Sequence, residues 1–123
     1  MPKLIAVIDD SVAFMKLGMT ILAKAGYEVV SAMDGYAATT LFYDHHPDLA
    51  LIDINMPLLN GHQLGAILKS SPTYREMPYI CVTSNKTPFD LAKMRMCGAD
   101  GVITKPYNNQ ALLAEVQRLI GPP

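Results

Sequence analysis

Five short apolar runs recur along the chain, and each is followed by a stretch whose apolar residues have helical spacing. The runs lie at residues 3–8, 28–32, 49–52, 79–82 and 101–103. Each run has the length of a strand and gives way to polar, glycine or proline residues. This strict alternation predicts a parallel sheet covered by helices on both faces, because successive parallel strands need a long crossover between them.

The predicted helices have recognisable ends. The first is capped by Asp10 or Ser11 and is stopped by Gly26. The others are predicted at residues 36–45, 61–70, 87–98 and 108–120. Because 123 residues carry five strand–helix pairs, we expect a single domain, residues 1–123, built on a doubly wound five-stranded sheet. The expected strand order is 2-1-3-4-5, the flavodoxin-like order, with its switch point between the first and third strands.

Polar residues follow four of the predicted strands directly. Asp9 and Asp10 follow the first strand, Asp53 follows the third, Thr83 follows the fourth and Lys105 lies just beyond the fifth. The carboxyl ends of parallel strands meet at one edge, which is where open α/β sheets bind their ligands. Each residue alone could be a turn, a cap or a surface charge, but together they predict a functional site.

The chemistry of this set favours phosphoryl transfer. Three crowded carboxylates raise one another's pKa values, and a hard cation such as Mg²⁺ removes that conflict. Lys105 would repel the metal alone, so its presence indicates that an anion such as a phosphoryl group joins the site. Asp53 is presented alone on its loop and is the predicted nucleophile, which would form an aspartyl phosphate. The hydroxyl of Thr83 could then bond a phosphoryl oxygen.

Composition argues against several other classes of function. The formal net charge of −1 leaves no basic excess for direct binding to nucleic acid. The apolar runs are too short to span a membrane and no signal peptide precedes the first strand, so we expect a cytoplasmic location. Cys81 and Cys97 lack metal-type spacing, and Cys81 is expected in the core. His62 is expected to face solvent. Met94 and Met96 on the fourth helix could mark an adaptable docking surface, and core filling is the alternative for one of them.

The complete set of residues resembles the receiver domain of bacterial two-component response regulators. The matching residues are Asp9-Asp10, Asp53 with Met56-Pro57 and Gly61, Thr83-Ser84, and Lys105-Pro106-Tyr107. The resemblance implies that a histidine kinase or phosphotransfer protein phosphorylates Asp53. It also implies that Mg²⁺ is bound by Asp10, Asp53 and the backbone carbonyl of Asn55, with Asp9 acting partly through water.

The resemblance further assigns the partners of the phosphoryl group and the output. Lys105 would pair with this group, Thr83 would sense it, and the Lys105–Pro106 peptide bond would be cis. The chain would phosphorylate and dephosphorylate itself without being a turnover enzyme. It would signal to a downstream protein through the face formed by the fourth helix, fifth strand and fifth helix, as a monomer or weak dimer.

One position departs from the family pattern. The family usually carries an aromatic residue three positions before the lysine, and this chain has Val102 there. A valine cannot swing between exposed and buried rotamers as an aromatic can, so the usual switch is expected to be altered. Asn55 and Asn85 are expected to border the approach of the hydrolytic water. Neither amide is a strong base, so slow to intermediate self-dephosphorylation is expected.

Three alternatives from other classes stay open at this stage. A phosphatase of the haloacid-dehalogenase type would need an acid two residues after Asp53, where this chain has Asn55. A flavodoxin would need a hydroxyl-rich phosphate loop, and Asp9-Asp10 would repel the phosphate of its flavin. An interaction module that keeps the receiver fold but needs no phosphorylation is favoured by Val102 and opposed by the intact acids and lysine.

Overall fold

The computed structural model describes residues 2–56, 59–84, 87–96 and 98–123. Within them, five parallel strands form one sheet in the order β2-β1-β3-β4-β5, which confirms the predicted topology. The strands are β1 (Leu4–Ile8), β2 (Glu28–Ala32), β3 (Leu49–Asp53), β4 (Tyr79–Thr83) and β5 (Gly101–Thr104). The third, fourth and fifth strands each run one residue beyond the predicted end. Backbone pairing continues there, which places Asp53 beside Val82 and Thr83 beside Thr104.

Five helices connect and follow the strands. They are α1 (Val12–Lys24), α2 (Gly35–His45), α3 (Gly61–Ser70), α4 (Pro88–Met96) and α5 (Asn109–Ile120). Side chains that accept a backbone N–H cap four of them, which supplies partners for donors that a helix start leaves unpaired. The capping residues are Ser11, Asp34, Asn60 and Asn108. Ser11 rather than Asp10 therefore caps α1, and this leaves the Asp10 carboxylate available to the site.

The sheet is covered on both faces by separate apolar clusters. On one face, Leu22 of α1 and Leu112 of α5 pack with Val7 of β1. On the other face, helices α2, α3 and α4 contribute side chains such as Phe42 and Leu64. All five residues of β3 are buried, as expected for a central parallel strand whose sides are both covered.

The structure describes three of the four cysteine and methionine residues singled out in the sequence. Cys81 is buried in β4, whereas Cys97 lies outside the described residues. Met94 is 2% exposed and Met96 is 88% exposed, so Met94 is the methionine that fills the core. In the described part of the chain, none of the helices has the length and apolar character needed to cross a membrane.

Gly61 fixes the start of α3 against the end of β3. A Cβ atom at this position would lie 2.5 Å from the backbone oxygen of Asp53 and 2.8 Å from the Cα of Ile54. The Gly61 N–H also donates to the Ile54 carbonyl at 3.1 Å. Only a residue without a side chain allows this approach, so the glycine after the Asp53 loop serves packing rather than a turn.

Candidate functional site

The sheet register brings the ends of β1 and β3 together. Ile8 pairs with Ile52, so Asp9 and Asp53, the next residue on each strand, lie side by side. The Asp9 N–H donates to the Ala32 carbonyl at 3.2 Å, which holds Asp9 in line with the sheet. Asp53 is fixed in turn because its Oδ1 accepts the Asn55 N–H at 3.2 Å. The predicted acidic rim is therefore present.

Three carboxylates form a compact cluster at this rim. One oxygen each from Asp9, Asp10 and Asp53 lies within 4.8 Å of the others. Asp9 and Asp53 are buried, at 1% and 3% exposure, whereas Asp10 is exposed. Burial and the neighbouring charge of Asp9 raise the pKa of Asp53 to about 6, against the opposing effects of the Asn55 N–H and Lys105. The cluster is thus under electrostatic stress when all three groups are ionised.

Lys105 supplies the positive charge opposite the acids. Its Nζ lies 3.1 Å from Asp9 Oδ2 and 3.5 Å from Asp53 Oδ2, and its side chain is 10% exposed. The Lys105 N–H donates to the Thr83 carbonyl at 2.8 Å, which ties the end of β5 to the end of β4. The Lys105–Pro106 peptide bond is cis, as the family resemblance implied. Lysine and acids are therefore brought together as predicted.

The cluster fits a hard divalent cation. Asp9 Oδ2 is fully buried, and its ion-pair partner in the described part of the chain is the Lys105 ammonium at 3.1 Å. Three carboxylates with a single lysine to balance them form a set of oxygen donors that Mg²⁺ can use. The donors are all oxygens, and Asp10 leaves the cluster open to solvent.

The remaining predicted residues lie on the β4 and β5 side of the site. Thr83 is fully buried at the end of β4, and the adjacent Ser84 is exposed. Val102 is half-buried and pairs with Cys81 across the sheet. It lines a cavity of about 200 Å³ with Leu91, Arg95 and five further residues between α4 and α5. Asn85 lies outside the described residues, so its predicted place beside the water stays a prediction.

Two aromatic side chains lie at the site, of which Tyr107 belongs to the family pattern and Phe14 was not predicted. The Lys105 ammonium lies 4.4 Å from the centre of the Phe14 ring. That ring meets Tyr107 edge to face, with centres 6.2 Å apart. Burial and the charges of Asp9 and Asp53 raise the pKa of the Tyr107 phenol well above its usual value. The available signal was the position of Phe14 in the first turn of α1, four residues after Asp10.

The expectation for His62 was wrong. Its side chain is half-buried and its Nδ1 is buried without a hydrogen-bond partner among the described residues. The residue lines a cavity of about 460 Å³ together with Asn55, Lys93 and four others. Burial and the charge of Lys93 lower the pKa of His62. The N-terminal turn of α3 faces α4 here, a contact between distant segments that local sequence does not reveal.

The raised pKa of Asp53 predicts a specific dependence of stability on pH. Its folded pKa of about 6 exceeds the usual aspartate value of 3.8, so the folded state holds this proton more tightly. The stabilisation is complete below about pH 4 and is lost as pH rises through about 6. After allowance for the solvent that reaches the site, the loss is on the order of 2 kcal/mol.

The measurement is urea unfolding without divalent metal, for wild type and Asp53→Asn in parallel. The wild-type free energy of unfolding should fall relative to the variant across this pH window, because only wild type must ionise the buried group. Carboxylates remote from the cluster titrate alike in both proteins and cancel in the difference. A difference that stays constant with pH would contradict the raised pKa.

Comparisons with known proteins agree with this arrangement. The family model of the response regulator receiver domain matches residues 5–117. Protein PilG of Pseudomonas aeruginosa is 36% identical over 113 residues, which cover 92% of this chain and 84% of that protein. The structure of the chemotaxis response regulator CheY4 of Vibrio cholerae has a TM-score of 0.90 at 28% identity, with 98% of this chain and 100% of that chain covered.

A further structural neighbour was solved with a metal. The receiver domain of the sensor histidine kinase PA1611 of Pseudomonas aeruginosa is described with a magnesium ion coordinated in its active site cleft. It covers 98% of this chain and 99% of its own, with a TM-score of 0.89 and 24% identity, and at that identity it shows the shared fold. Together with the strand order and the acidic rim, these matches show that the chain belongs to the response regulator receiver domains of two-component signalling, which are signalling modules rather than turnover enzymes.

Proposed function

We propose that Asp53 accepts a phosphoryl group in a Mg²⁺-dependent reaction and that the chain signals through the change that follows. The observation that carries this proposal is the meeting of a buried carboxylate, two further acids and one buried ammonium at a single edge of the sheet. The acids favour a cation, and the ammonium favours an anion, so the site is suited to a metal and a phosphoryl group together.

Asp9, Asp10, Asp53 and the backbone carbonyl of Asn55 would hold the metal. When bound, Mg²⁺ supplies charge neutralisation for the phosphoryl oxygens and for the acids that surround them. The exposure of Asp10 favours a direct role at the open side of the cluster, whereas the buried Asp9 is already close to Lys105. This arrangement supports the division in which Asp9 acts partly through water.

The transfer itself needs no catalytic base. An ionised Asp53 oxygen attacks phosphorus, the new oxygen–phosphorus bond forms, and the nitrogen–phosphorus bond of the donor phosphohistidine breaks. The imidazole leaves with the electron pair of that bond. Lys105 then exchanges its contact with the carboxylates for one with the phosphoryl oxygens, and the Thr83 hydroxyl donates to another of them. Hydrolysis of the acyl phosphate returns Asp53 to its starting form, so the chain is both substrate and switch.

Chain and partners complete the proposal. Residues 1–123 form one receiver domain, which works in the cytoplasm as a monomer or weak dimer. A histidine kinase or a phosphotransfer protein donates the phosphoryl group, and a downstream protein reads the phosphorylated form. The balanced net charge supports a protein rather than a nucleic acid as the direct partner.

Labelling by a small phosphodonor tests this function. Incubation with acetyl phosphate and Mg²⁺ should produce a phosphorylated species, detected by intact mass and by its lability in alkali, which is typical of an acyl phosphate. Excess chelator should prevent labelling, because the acids then repel the incoming phosphoryl group. Labelling that persists at the same rate in chelator would contradict the metal-dependent site.

Val102 favours a second candidate, an interaction module that does not depend on phosphorylation. Val102 is too short to turn inward as the family's aromatic does, and it lines a cavity of about 200 Å³ between α4 and α5. Without the aromatic, phosphorylation stabilises the active form less strongly relative to the inactive form. Moving such an equilibrium almost completely takes roughly 5 kcal/mol, and one buried aromatic contact supplies about 1–2 kcal/mol of it.

The response to a phosphoryl mimic separates the two candidates. With Mg²⁺ and beryllofluoride, we expect large amide NMR shifts across residues 83–90 and modest shifts at Val102, because the valine is too short to follow Thr83. Val102→Tyr should enlarge the response on β5 by restoring a side chain that can turn inward when Thr83 moves. Changes confined to Asp53 and its sequence neighbours, in both proteins, would favour the phosphorylation-independent module.

A further inference from the structure

The Lys105 ammonium has a neighbour that carries no charge. Two carboxylates hold it from one side, Asp9 at 3.1 Å and Asp53 at 3.5 Å. The Phe14 ring provides a third contact, with its centre 4.4 Å from Nζ. This distance is well inside the range of about 6 Å over which an aromatic face attracts a cation. The lysine is therefore held jointly by acids and by a ring.

The two kinds of contact differ in what disturbs them. Protonation, metal binding or phosphorylation changes the charge of the acids, and each of these events weakens or redirects their hold on the lysine. The ring attracts the ammonium through its fixed quadrupole, so none of these events alters that attraction. A ring also lacks the lone pairs of a carboxylate, so it leaves the ammonium's N–H donors available to other acceptors.

The position of the ring is itself well determined. Phe14 belongs to the first turn of α1, where its N–H donates to the Ser11 cap at 3.4 Å. Its edge-to-face contact with Tyr107 has an interplanar angle of 79°. Tyr107 lies against Gly18, where even an added Cβ would be only 3.4 Å from the tyrosine ring. The start of α1 and the segment after β5 thus each contribute one ring, Phe14 and Tyr107, to the same aromatic contact beside Lys105.

We propose that Phe14 is a positioning residue for Lys105, holding its ammonium beside the phosphoryl site with its donors free to leave the acids. The inference rests on the proposed function, in which Lys105 pairs with the phosphoryl group. Phe14 itself contacts the lysine and not the phosphoryl group. Without the ring, the ammonium is held by Asp9 and Asp53 alone, so it is drawn toward them and its transfer to the phosphoryl oxygens becomes less favourable.

Phe14→Leu and Phe14→Tyr form the test pair. Leucine keeps apolar bulk but removes the aromatic face, and tyrosine restores the face. We expect Phe14→Leu to weaken the binding of beryllofluoride in the presence of Mg²⁺, and to slow labelling by acetyl phosphate, each by about three- to tenfold. Phe14→Tyr should stay close to wild type. Met15→Leu is the matched control, because Met15 is a partly buried apolar residue one position further along α1. It should have no effect on either measurement.

A direct readout of the contact does not depend on phosphorylation. The ε-CH₂ protons of Lys105 should show an upfield ring-current shift in the NMR spectrum of wild type. This shift should be lost in Phe14→Leu and kept in Phe14→Tyr and Met15→Leu. A packing role alone would alter thermal stability without this pattern, so thermal unfolding of all three variants is measured in parallel.

The outcomes separate the inference from the proposed function. If wild type binds no beryllofluoride and accepts no label, the proposed function fails, while the ring-current shift still reports whether Phe14 holds Lys105. If wild type is labelled normally and Phe14→Leu matches it in binding, rate and proton shift, the positioning role is overturned. Equal losses in Phe14→Leu and Phe14→Tyr would also overturn it, because the aromatic face would then not be the cause.

Discussion

Replacement of Asp53 with Asn is expected to abolish acceptance of the phosphoryl group. The side-chain amide is neutral and a very poor nucleophile, and it removes one of the three carboxylates that form the candidate metal site. Short incubations of Asp53→Asn with acetyl phosphate and Mg²⁺ should leave its mass unchanged while wild type is labelled. The same variant should show no response to beryllofluoride, which needs the carboxylate oxygen to mimic the phosphorylated form.

Asp34→Asn is a matched control for this experiment. Asp34 caps α2 through its side-chain oxygen, and asparagine is an equally good cap. The control variant should therefore keep its fold while it loses one negative charge, as Asp53→Asn does. Its labelling should equal that of wild type. Asp10→Asn should be labelled more slowly at limiting Mg²⁺ and recover at higher concentrations. Sustained labelling of Asp53→Asn would show that another carboxylate is the nucleophile.

Replacement of Lys105 with Met is expected to give the largest loss of stability. Methionine has similar length but no charge, so it would leave the buried acids Asp9 and Asp53 without their counter-ion. Breaking a buried ion pair from one side costs roughly 3–5 kcal/mol. The loss in free energy of unfolding should be largest at about pH 8 without divalent metal. It should shrink when acid protonates Asp53 or when added Mg²⁺ replaces the missing positive charge.

Lys69→Met provides the comparison for an exposed ion pair. Lys69 lies 3.1 Å from Asp100, but both side chains reach solvent, with exposures of 28% and 35%. Such pairs are worth about 1 kcal/mol or less, and Asp100 would still accept the Tyr79 N–H at 3.0 Å. Urea unfolding of both variants should therefore separate them clearly. Equal losses, or a Lys105→Met loss that Mg²⁺ does not reduce, would contradict the buried cluster.

The sequence predicted the fold because its signals are local and repeated. Each strand is a short apolar run, and most helices start beside a residue whose side chain caps them, as Ser11 and Asn60 do. Parallel strands then leave little choice of topology, since crossovers are right-handed. The site followed from the same logic, because residues at the carboxyl ends of strands must meet. The proximity of Asp53 and Lys105 could thus be predicted from the sequence alone.

What escaped prediction depends on contacts between elements that lie far apart in sequence. Phe14 is one apolar residue among several in α1, and only the approach of α1 to the segment that follows β5 reveals its contact with Lys105. His62 reads as a polar residue at a helix start, and its burial comes from the approach of α4. The ends of β3, β4 and β5 were also placed one residue too early, because pairing partners decide where a strand ends, and local sequence does not show them.

The contact between Gly61 and the Asp53 backbone has a consequence for how the site can move. The start of α3 lies directly on the peptide of Asp53, with no side chain between them that could deform. The β3 half of the site is therefore rigid, because α3 packs directly against the backbone of Asp53 and Ile54. Any displacement on phosphorylation has to be taken up by the opposite half, through Thr83 and Lys105. These two residues are joined at the strand ends, because the Lys105 N–H donates to the Thr83 carbonyl and Thr83 pairs with Thr104, so they can move together.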